Sequence, residues 1–469
     1  MIGKDKRGRR SLVALAGLTR TLLWRAKGQW HGGSRCSRGQ RAAKIPESIA
    51  GEKHMGNDAV QTDGYFREAR SDLSGPLDGI RVLEVASTWA GPRCAAMLAD
   101  YGADVIKVEQ LGSPDVAHRL PPFLAQATPP LSFFHAAVNR NKRNIALNFK
   151  KPRGIAVFLE LAKEADIVVQ SHRPGCMEEW GCGYEQVRKI NPDIIYVSIS
   201  GYGQYGPYSR RPGYDPMAQA MSGLMWLNGL GDGPPMKVPI YFSDEVTGLH
   251  AAFAALAALR HRDVHGEGQH VDVSLLDAAV ASCTGQPTLA AQGLPTPRLG
   301  NLYPFGAPAN VYSCSDGWVY AGVLLDTHWV KLAGLLGRPE LGRHPDYASI
   351  PGRVARREEV DDMLAEFCKE RTRDQVVEAI GGIGLAVEKV LTPGEMVQDP
   401  HVQDRGTIQA ARQPSGAVVK TEGPPAKMSR TPVSVRSVAA PHGGHTDEVL
   451  KAAGFDDSAR ATLRDEGII

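Results

Sequence analysis

Apolar positions fall into a regular pattern from Leu77 onward. RVLEVA (81–86) has the length and content of a buried strand, and AGPRCAAMLADYGA reads as a turn feeding a helix. ADVIKVE (103–109) predicts a second strand. NIALN, a helix opened by Pro152 (PRGIAVFLELAKEA), DIVVQS, a helix around YEQVRKIN and DIIYVSIS follow in turn. Strands alternating with helices imply parallel strands joined by right-handed crossovers, so the expected fold class is α/β, an open, mostly parallel sheet with helices on both faces.

The second half changes character. A helical stretch over 217–225 leads through a loop to a long Ala-rich helix over about 245–260, and HVDVSLLDAAV (270–280) closes the run. Pro and Gly then thicken over 289–306, as in a connector. NVYSCSDGWVYAGV predicts a hairpin on a Ser-Asp-Gly turn, and helices to about Gly384 complete a smaller α+β domain. In the closing HTDEVLKAAGF, Thr446 is the expected N-cap. The boundaries this gives are 1–74 for a basic disordered extension, 75–285 for the large domain, 286–305 for a linker, 306–390 for the small domain, and 391–469 for a linker and a return to the large domain.

Composition narrows the function classes. With 42% hydrophobic and 22% charged residues the chain is ordinary for a globular protein. Its +3 charge is local, since residues 1–45 hold 12 Lys and Arg against Asp5 alone and the remainder is net acidic, so no nucleic-acid partner is expected of the body. Seven scattered cysteines without a CxxC pair fit neither a disulfide framework nor a zinc site, and a cytoplasmic setting is expected. No apolar run nears the roughly 18 residues of a membrane span. Arg20 and Arg25 interrupt the apolar 12–18 piece, which argues against a secretory signal, and residues before Met55 are read as an extension without structural role.

Taken singly, the chemical signals are modest. The glycines of SGYGQYGP (200–207) follow a strand, where amides can approach a phosphate, but without GxGxxG spacing a turn is the simpler reading and a nicotinamide-dependent enzyme is disfavoured. His172, His250, His265 and His270 lack paired ligand spacing, so no metal is expected, and the absence of GxSxG argues against a serine hydrolase. Arg140, Lys142 and Arg143 in NRNKRN, with Lys107, offer cations for a phosphorylated cofactor. Asp215 and Asp244 each precede a predicted helix, where capping is the default role. Asp244 differs in its apolar approach (238–242) and in Thr247 and Gly248, which leave room beside the carboxylate. A helix N-terminus would also keep it ionised, as a carboxylate nucleophile requires.

Together, PLDGIRVLEVASTWAGPRCAAMLADYGADVIKVE, NRNKRNIALN, RPGCMEEWGCGYEQVRKINPDIIYVSISGYGQYGP, GYDPMAQAMSGLM, YFSDEVTGLHAAFAALAALRHR, GEGQHVDVSLLDA and HTDEVLKAAGF, in that order over about 77–455, resemble the class III CoA-transferases. The resemblance implies a Rossmann-like large domain and a smaller one in a ring-like, interlocked homodimer. It also implies coenzyme A transfer from an acyl-CoA donor to a small carboxylic acid, with acyl-CoA as substrate and no permanently bound cofactor. It places the family's catalytic aspartate on Asp244, passing through an aspartyl anhydride and an aspartyl-CoA thioester. Coenzyme A contacts are implied at Trp89, Ala90, Gln110, Leu147, Lys150, Ser171, His172, Arg173, Tyr214 and Asp215, beside Lys107 and Arg143 already named. Trp89, Gln110 and Glu179 differ from the oxalate-using members, which turns the expected acceptor away from oxalate.

Two rival functions follow. The superfamily also holds α-methylacyl-CoA racemase, which uses a His and Asp pair, yet no histidine occurs between His172 and His250, where one would be required near Glu185. A non-catalytic acyl-CoA-binding protein is the other, and the presence of Asp244 argues against it.

Overall fold

The computed structural model describes residues 64–469 except 126, 128 and 414. The basic segment before residue 64 lies outside the described residues. Six parallel strands form the main sheet: β1 (Arg81–Val85), β2 (Asp104–Gln110), β3 (Lys142–Leu147), β4 (Ile167–Gln170), β5 (Ile195–Ser200) and β6 (Gln269–Ser274). Their spatial order is β3-β2-β1-β4-β5-β6. Strand order therefore reverses between β1 and β4, and in an open α/β sheet the crevice outside the carboxyl ends of those two strands is where ligands bind.

Each strand sends alternate residues to opposite faces, and each face has its own core. Leu83, Val85, Ile106, Val108, Ile145 and Leu147 pack with Ile155 and Phe158 of α3 (Pro152–Ala162) and with Val449, Leu450 and Leu463 from the C-terminal helices. Val82, Val105, Ile167, Val169, Ile195 and Val197 pack with Cys94 and Leu98 of α1 (Ala90–Asp100) and with Ala251, Ala255 and Ala258 of α5 (Phe242–His265). Small residues on α1 and α5 let the two helices approach closely. At Gly248 a Cβ would lie 2.9 Å from Arg93 Cβ and 3.1 Å from the Ala90 carbonyl oxygen. The room left by Gly248 is thus filled by α1, and α5 is seated on the first turn of α1.

Beyond the main sheet, β7 (Ala309–Cys314), β8 (Gly317–Gly322) and β9 (Ala386–Lys389) form an antiparallel sheet in the order β9-β8-β7, with its own core around Trp329, Val360, Leu364 and Ile380. The chain then returns to the first sheet. His445 N–H donates to Asn144 O of β3 at 2.8 Å, and Asn148 N–H, just past the end of β3, donates to Ile468 O at 2.8 Å. The last helix pair starts at Thr446 rather than being capped by it: His445 is the N-cap, and Thr446 Oγ1 accepts from Ala146 N–H at 3.1 Å. Among the described residues no helix is long and apolar enough to cross a membrane.

The cations of NRNKRN are structural. Arg140 is buried against Asp100, with Nη2 to Oδ2 at 2.7 Å, and Lys142 Nζ lies 2.6 Å from Glu84 while donating to the Pro92 carbonyl at 2.8 Å. Arg143 sits at the start of β3, away from the carboxyl ends of the strands, and pairs with Asp104 at 2.6 Å and Glu448 at 3.0 Å. It does not reach the crevice, which corrects the phosphate role expected for it.

Candidate functional site

A cleft of about 900 Å³ opens at the carboxyl ends of the strands. Its floor comes from the ends of β1 and β2 (Val85, Ala86, Ser87, Val108, Glu109 and Gln110), and its walls include Arg119, Phe149, Lys150, His172 and Trp180. The strand reversal fixes this position, since the loops after β1 and β4 diverge there. Of the residues expected to contact coenzyme A, the cleft brings Gln110, Lys150 and His172 together. Gln110 Oε1 accepts from Phe149 N–H at 3.1 Å, which ties the end of β2 to the turn carrying Lys150. Burial lowers the pKa of His172 to about 4, so its imidazole is neutral at physiological pH.

Trp180 went unrecognised in the sequence. It stacks on Phe149 with ring centroids 5.5 Å apart and meets His172 edge-on at 4.9 Å, forming an aromatic wall. A signal was present, because Phe149 precedes Lys150 and Trp180 follows Glu179, two positions already singled out. Only the fold places them side by side.

Other expected contacts sit differently. Lys107 is fully buried and spends its ammonium on Glu84 Oε1 at 2.8 Å, the Ala86 carbonyl at 2.8 Å and Asp115 Oδ2 at 3.2 Å. With three donors taken, it supports the floor from below and does not grip a phosphate. Burial opposes its charge, but Glu84, Asp115 and Glu109 outweigh that and hold its pKa above the ordinary value. The side chain of Leu147 is in the core, and only its carbonyl, accepting from Leu111 N–H at 2.9 Å, faces the turn. Ser171 Oγ accepts from Ser87 N–H at 3.1 Å, and Arg173 and Tyr214 are exposed. Asp215 is buried and caps a neighbouring helix: Oδ1 accepts from Ser243 N–H at 2.7 Å and Oδ2 from Gln219 at 2.7 Å. Each oxygen thus holds a donor, and the buried side chain is not part of the cleft lining. In the 200–207 loop the Gly203 and Gln204 amides are bonded to Ser200 Oγ and Asp272, as a turn requires.

Asp244 lies in the first turn of α5, inside the helix rather than ahead of it, because α5 begins at Phe242. Asp244 is not among the residues that line the cleft, but its neighbour Glu245 is bonded to the start of α1. Trp89 Nε1 donates to Glu245 Oε1 at 2.6 Å, and Arg93 Nε pairs with Oε2 at 2.8 Å. Trp89, with Ala90 beside it, stands two residues beyond Ser87 of the cleft floor, and its ring packs against Tyr241 at 5.2 Å and Phe134 at 5.8 Å. Asp244 itself is half-buried, and among the described residues no amide is bonded to its carboxylate. Burial, with the charges of Asp215 and Glu245, raises its pKa to about 7. This reverses the expectation that the helix N-terminus keeps it strongly ionised. The dipole supplies at most about 1 kcal/mol in an ordinary setting, whereas desolvation and two like charges act together in the opposite sense. The result is a basic, weakly solvated carboxylate poised near neutrality.

A cleft outside the carboxyl ends of the strands at their point of reversal is where an open α/β fold binds its ligand. The model of CoA-transferase family III matches residues 77–446, and the chain belongs to this family. A succinyl-CoA–D-citramalate CoA-transferase from Chloroflexus aurantiacus is 33% identical, covering 80% of this chain and 93% of its own length. A succinate–glutarate CoA-transferase from Agrobacterium fabrum is 36% identical over 80% of this chain and 95% of its own. The crystal structure of a CAIB/BAIF family protein from Brucella suis superimposes with a TM-score of 0.74 at 33% identity, covering 81% of this chain and all of that one. The protein is a CoA-transferase, moving coenzyme A from an acyl-CoA to a carboxylic acid.

Proposed function

We propose that Asp244 is the nucleophile of this transfer and that the acceptor is a small dicarboxylic acid. One observation carries the first part: a half-buried carboxylate that accepts no hydrogen bond among the described residues and whose pKa is raised to about 7 by burial and by the charges of Asp215 and Glu245. The Asp244 carboxylate attacks the thioester carbonyl, the C–S bond breaks, and coenzyme A leaves as thiolate from a mixed anhydride. The thiolate attacks the aspartyl carbonyl, releasing the donor acid and leaving an aspartyl-CoA thioester. The acceptor carboxylate opens that thioester to a second anhydride, and the thiolate takes the acceptor acyl group, restoring Asp244. The dicarboxylic acceptor rests on the relatives, whose names pair succinyl-CoA with citramalate and succinate with glutarate.

Cleft residues have matching parts. Lys150 and Arg119 face the cleft as cations for the phosphates, the Phe149–Trp180 wall offers a stacking face to adenine, and Gln110 and His172 supply neutral polar contacts. Trp89 is tied to Glu245, the neighbour of Asp244, and Ser171 to Ser87 of the cleft, and we assign coenzyme A contacts to these two together with Ala90 and Arg173. We take 75–285 with the return of 391–469 as the coenzyme A lobe and 306–390 as the small lobe. Exposed Met217, Met221, Trp226, Leu249 and Phe253 near Asp244 support an interlocked homodimer in which a second copy covers them.

The test is Asp244→Ala, expected to abolish transfer while coenzyme A binding by calorimetry persists, with hydroxylamine trapping an adduct on Asp244 during wild-type turnover. Transfer at near wild-type rate by the alanine variant would sink the assignment. Deuterium entering the α carbon of a 2-methylacyl-CoA in heavy water without an acceptor would favour racemisation instead. Light scattering reads the dimer directly.

A further inference from the structure

We infer that Asp115 is a positioning residue for Asp244, acting through a strained elbow between β1 and α1; the inference rests on Asp244 being the nucleophile. Thr88, in that elbow, has φ +69°, a left-handed conformation that a β-branched residue rarely adopts. Its side chain is exposed, so no packing of the threonine accounts for the conformation. The backbone does. Both oxygens of the Asp115 carboxylate accept from Thr88 N–H, at 3.0 and 2.9 Å. Asp115 is in turn locked by the Ala117 N–H at 3.0 Å and by buried Lys107 at 3.2 Å.

The clamp extends to the neighbouring residues. Lys107 also holds the Ala86 carbonyl at 2.8 Å, and Ser171 Oγ holds Ser87 N–H at 3.1 Å. Three consecutive residues are thus pinned by their main chain, with the strained one last. Behind them α1 is jammed into place, since a Cβ on Gly91 would lie 2.6 Å from Ala86 Cβ. The residue after Thr88 is Trp89, which donates to Glu245 at 2.6 Å, and Arg93, one turn on, pairs with the same carboxylate. Glu245 adjoins Asp244, and its charge is one of the two that raise the Asp244 pKa.

The consequence is directional. Strain at a functional site persists only where its surroundings over-determine it. Without the Asp115 carboxylate Thr88 relaxes to negative φ, the chain leaves β1 at a different angle, and Trp89 loses its bond to Glu245. Glu245 then acts on Asp244 as a less neutralised anion, so Asp244 ionises at higher pH and is displaced from the thioester. The elbow sets both where the nucleophile points and when it is charged.

The test uses full-length enzyme with three variants. Asp115→Ala, which removes both acceptors, is expected to lower kcat by about tenfold or more, with KM for the acyl-CoA within about threefold, and to move the midpoint of the kcat–pH profile upward. Adding Thr88→Gly, which adopts φ +69° freely, is expected to recover at least about half of the lost kcat. Trp89→Phe, which keeps a ring but removes the indole N–H, is expected to move the pH midpoint in the same direction and serves where Asp115→Ala does not fold. A kcat for Asp115→Ala within about twofold of wild type, a double variant no faster than the single, or an unmoved pH midpoint in Trp89→Phe would each overturn the elbow. Asp244→Ala separates the two ideas. If it is inactive while Asp115→Ala is fully active, only the elbow fails; if it still transfers coenzyme A, the nucleophile assignment fails.

Discussion

Asp244→Asn should make the protein inactive and, at neutral to alkaline pH, more stable. An aspartate ordinarily ionises near 3.8, and burial together with Asp215 and Glu245 pushes Asp244 to about 7. The folded protein therefore binds this proton more tightly than the unfolded chain does. Stability is highest below about pH 4, falls as pH rises towards about 7, and stays at the lower level above it. A difference of about three in pKa, at ~1.4 kcal/mol per tenfold in proton affinity, sets an upper bound of ~4 kcal/mol. Asp244 keeps some contact with solvent, and screening reduces the expectation to ~1–2 kcal/mol. Asparagine removes the opposed charge at nearly constant volume. Urea unfolding followed by tryptophan fluorescence should show the variant more stable by that amount near pH 8, with the gain fading near pH 4.5. Equal stability near pH 8, or a gain of the same size at both pH values, would refute the claim that the site holds a carboxylate against its ionisation.

Three further outcomes follow from the same geometry. The transfer rate at low acyl-CoA should climb about tenfold per pH unit below 7 and level off above it, as Asp244 ionises, and a rate flat between about pH 5 and 8 would count against it. Arg140→Ala strands the buried Asp100 carboxylate, which otherwise receives Arg140 Nη2 at 2.7 Å, and should cost ~3–5 kcal/mol in urea unfolding; a loss under ~1 kcal/mol would show that the pair is dispensable. Gly248→Ala places a Cβ 2.9 Å from Arg93 Cβ, so α5 must back away from α1. It should lose ~1–3 kcal/mol of stability, and kcat with it, and wild-type values of both would show that the helices have slack.

The main sheet was legible because most of its strands are short apolar runs buried on both faces and helical segments lie between them, although β6 is exposed along much of its length. That pattern admits a parallel sheet and little else. Asp244 was found from its local setting and its family motif. Its electrostatics were misjudged, since the helix dipole is a property of one element, while the proximity of Asp215 arises from a second helix whose carboxylate caps Ser243 at 2.7 Å. NRNKRN misled for a related reason. A basic hexapeptide reads as a solvated anion grip, yet Asp100, Asp104 and Glu84, more than 35 residues away, turn its cations into internal pairs.

By itself, then, the sequence determined the order of elements, the α/β class, the family motifs and the acid at position 244, because each of these is written in local periodicity or in short contiguous strings. Tertiary structure decided which cations are spent inside the fold, that Phe149, His172 and Trp180 share one wall, and that Thr88 is bent by Asp115. Pairing, desolvation and strain depend on what a residue meets across the fold. A linear reading supplies the groups but not the distances between them.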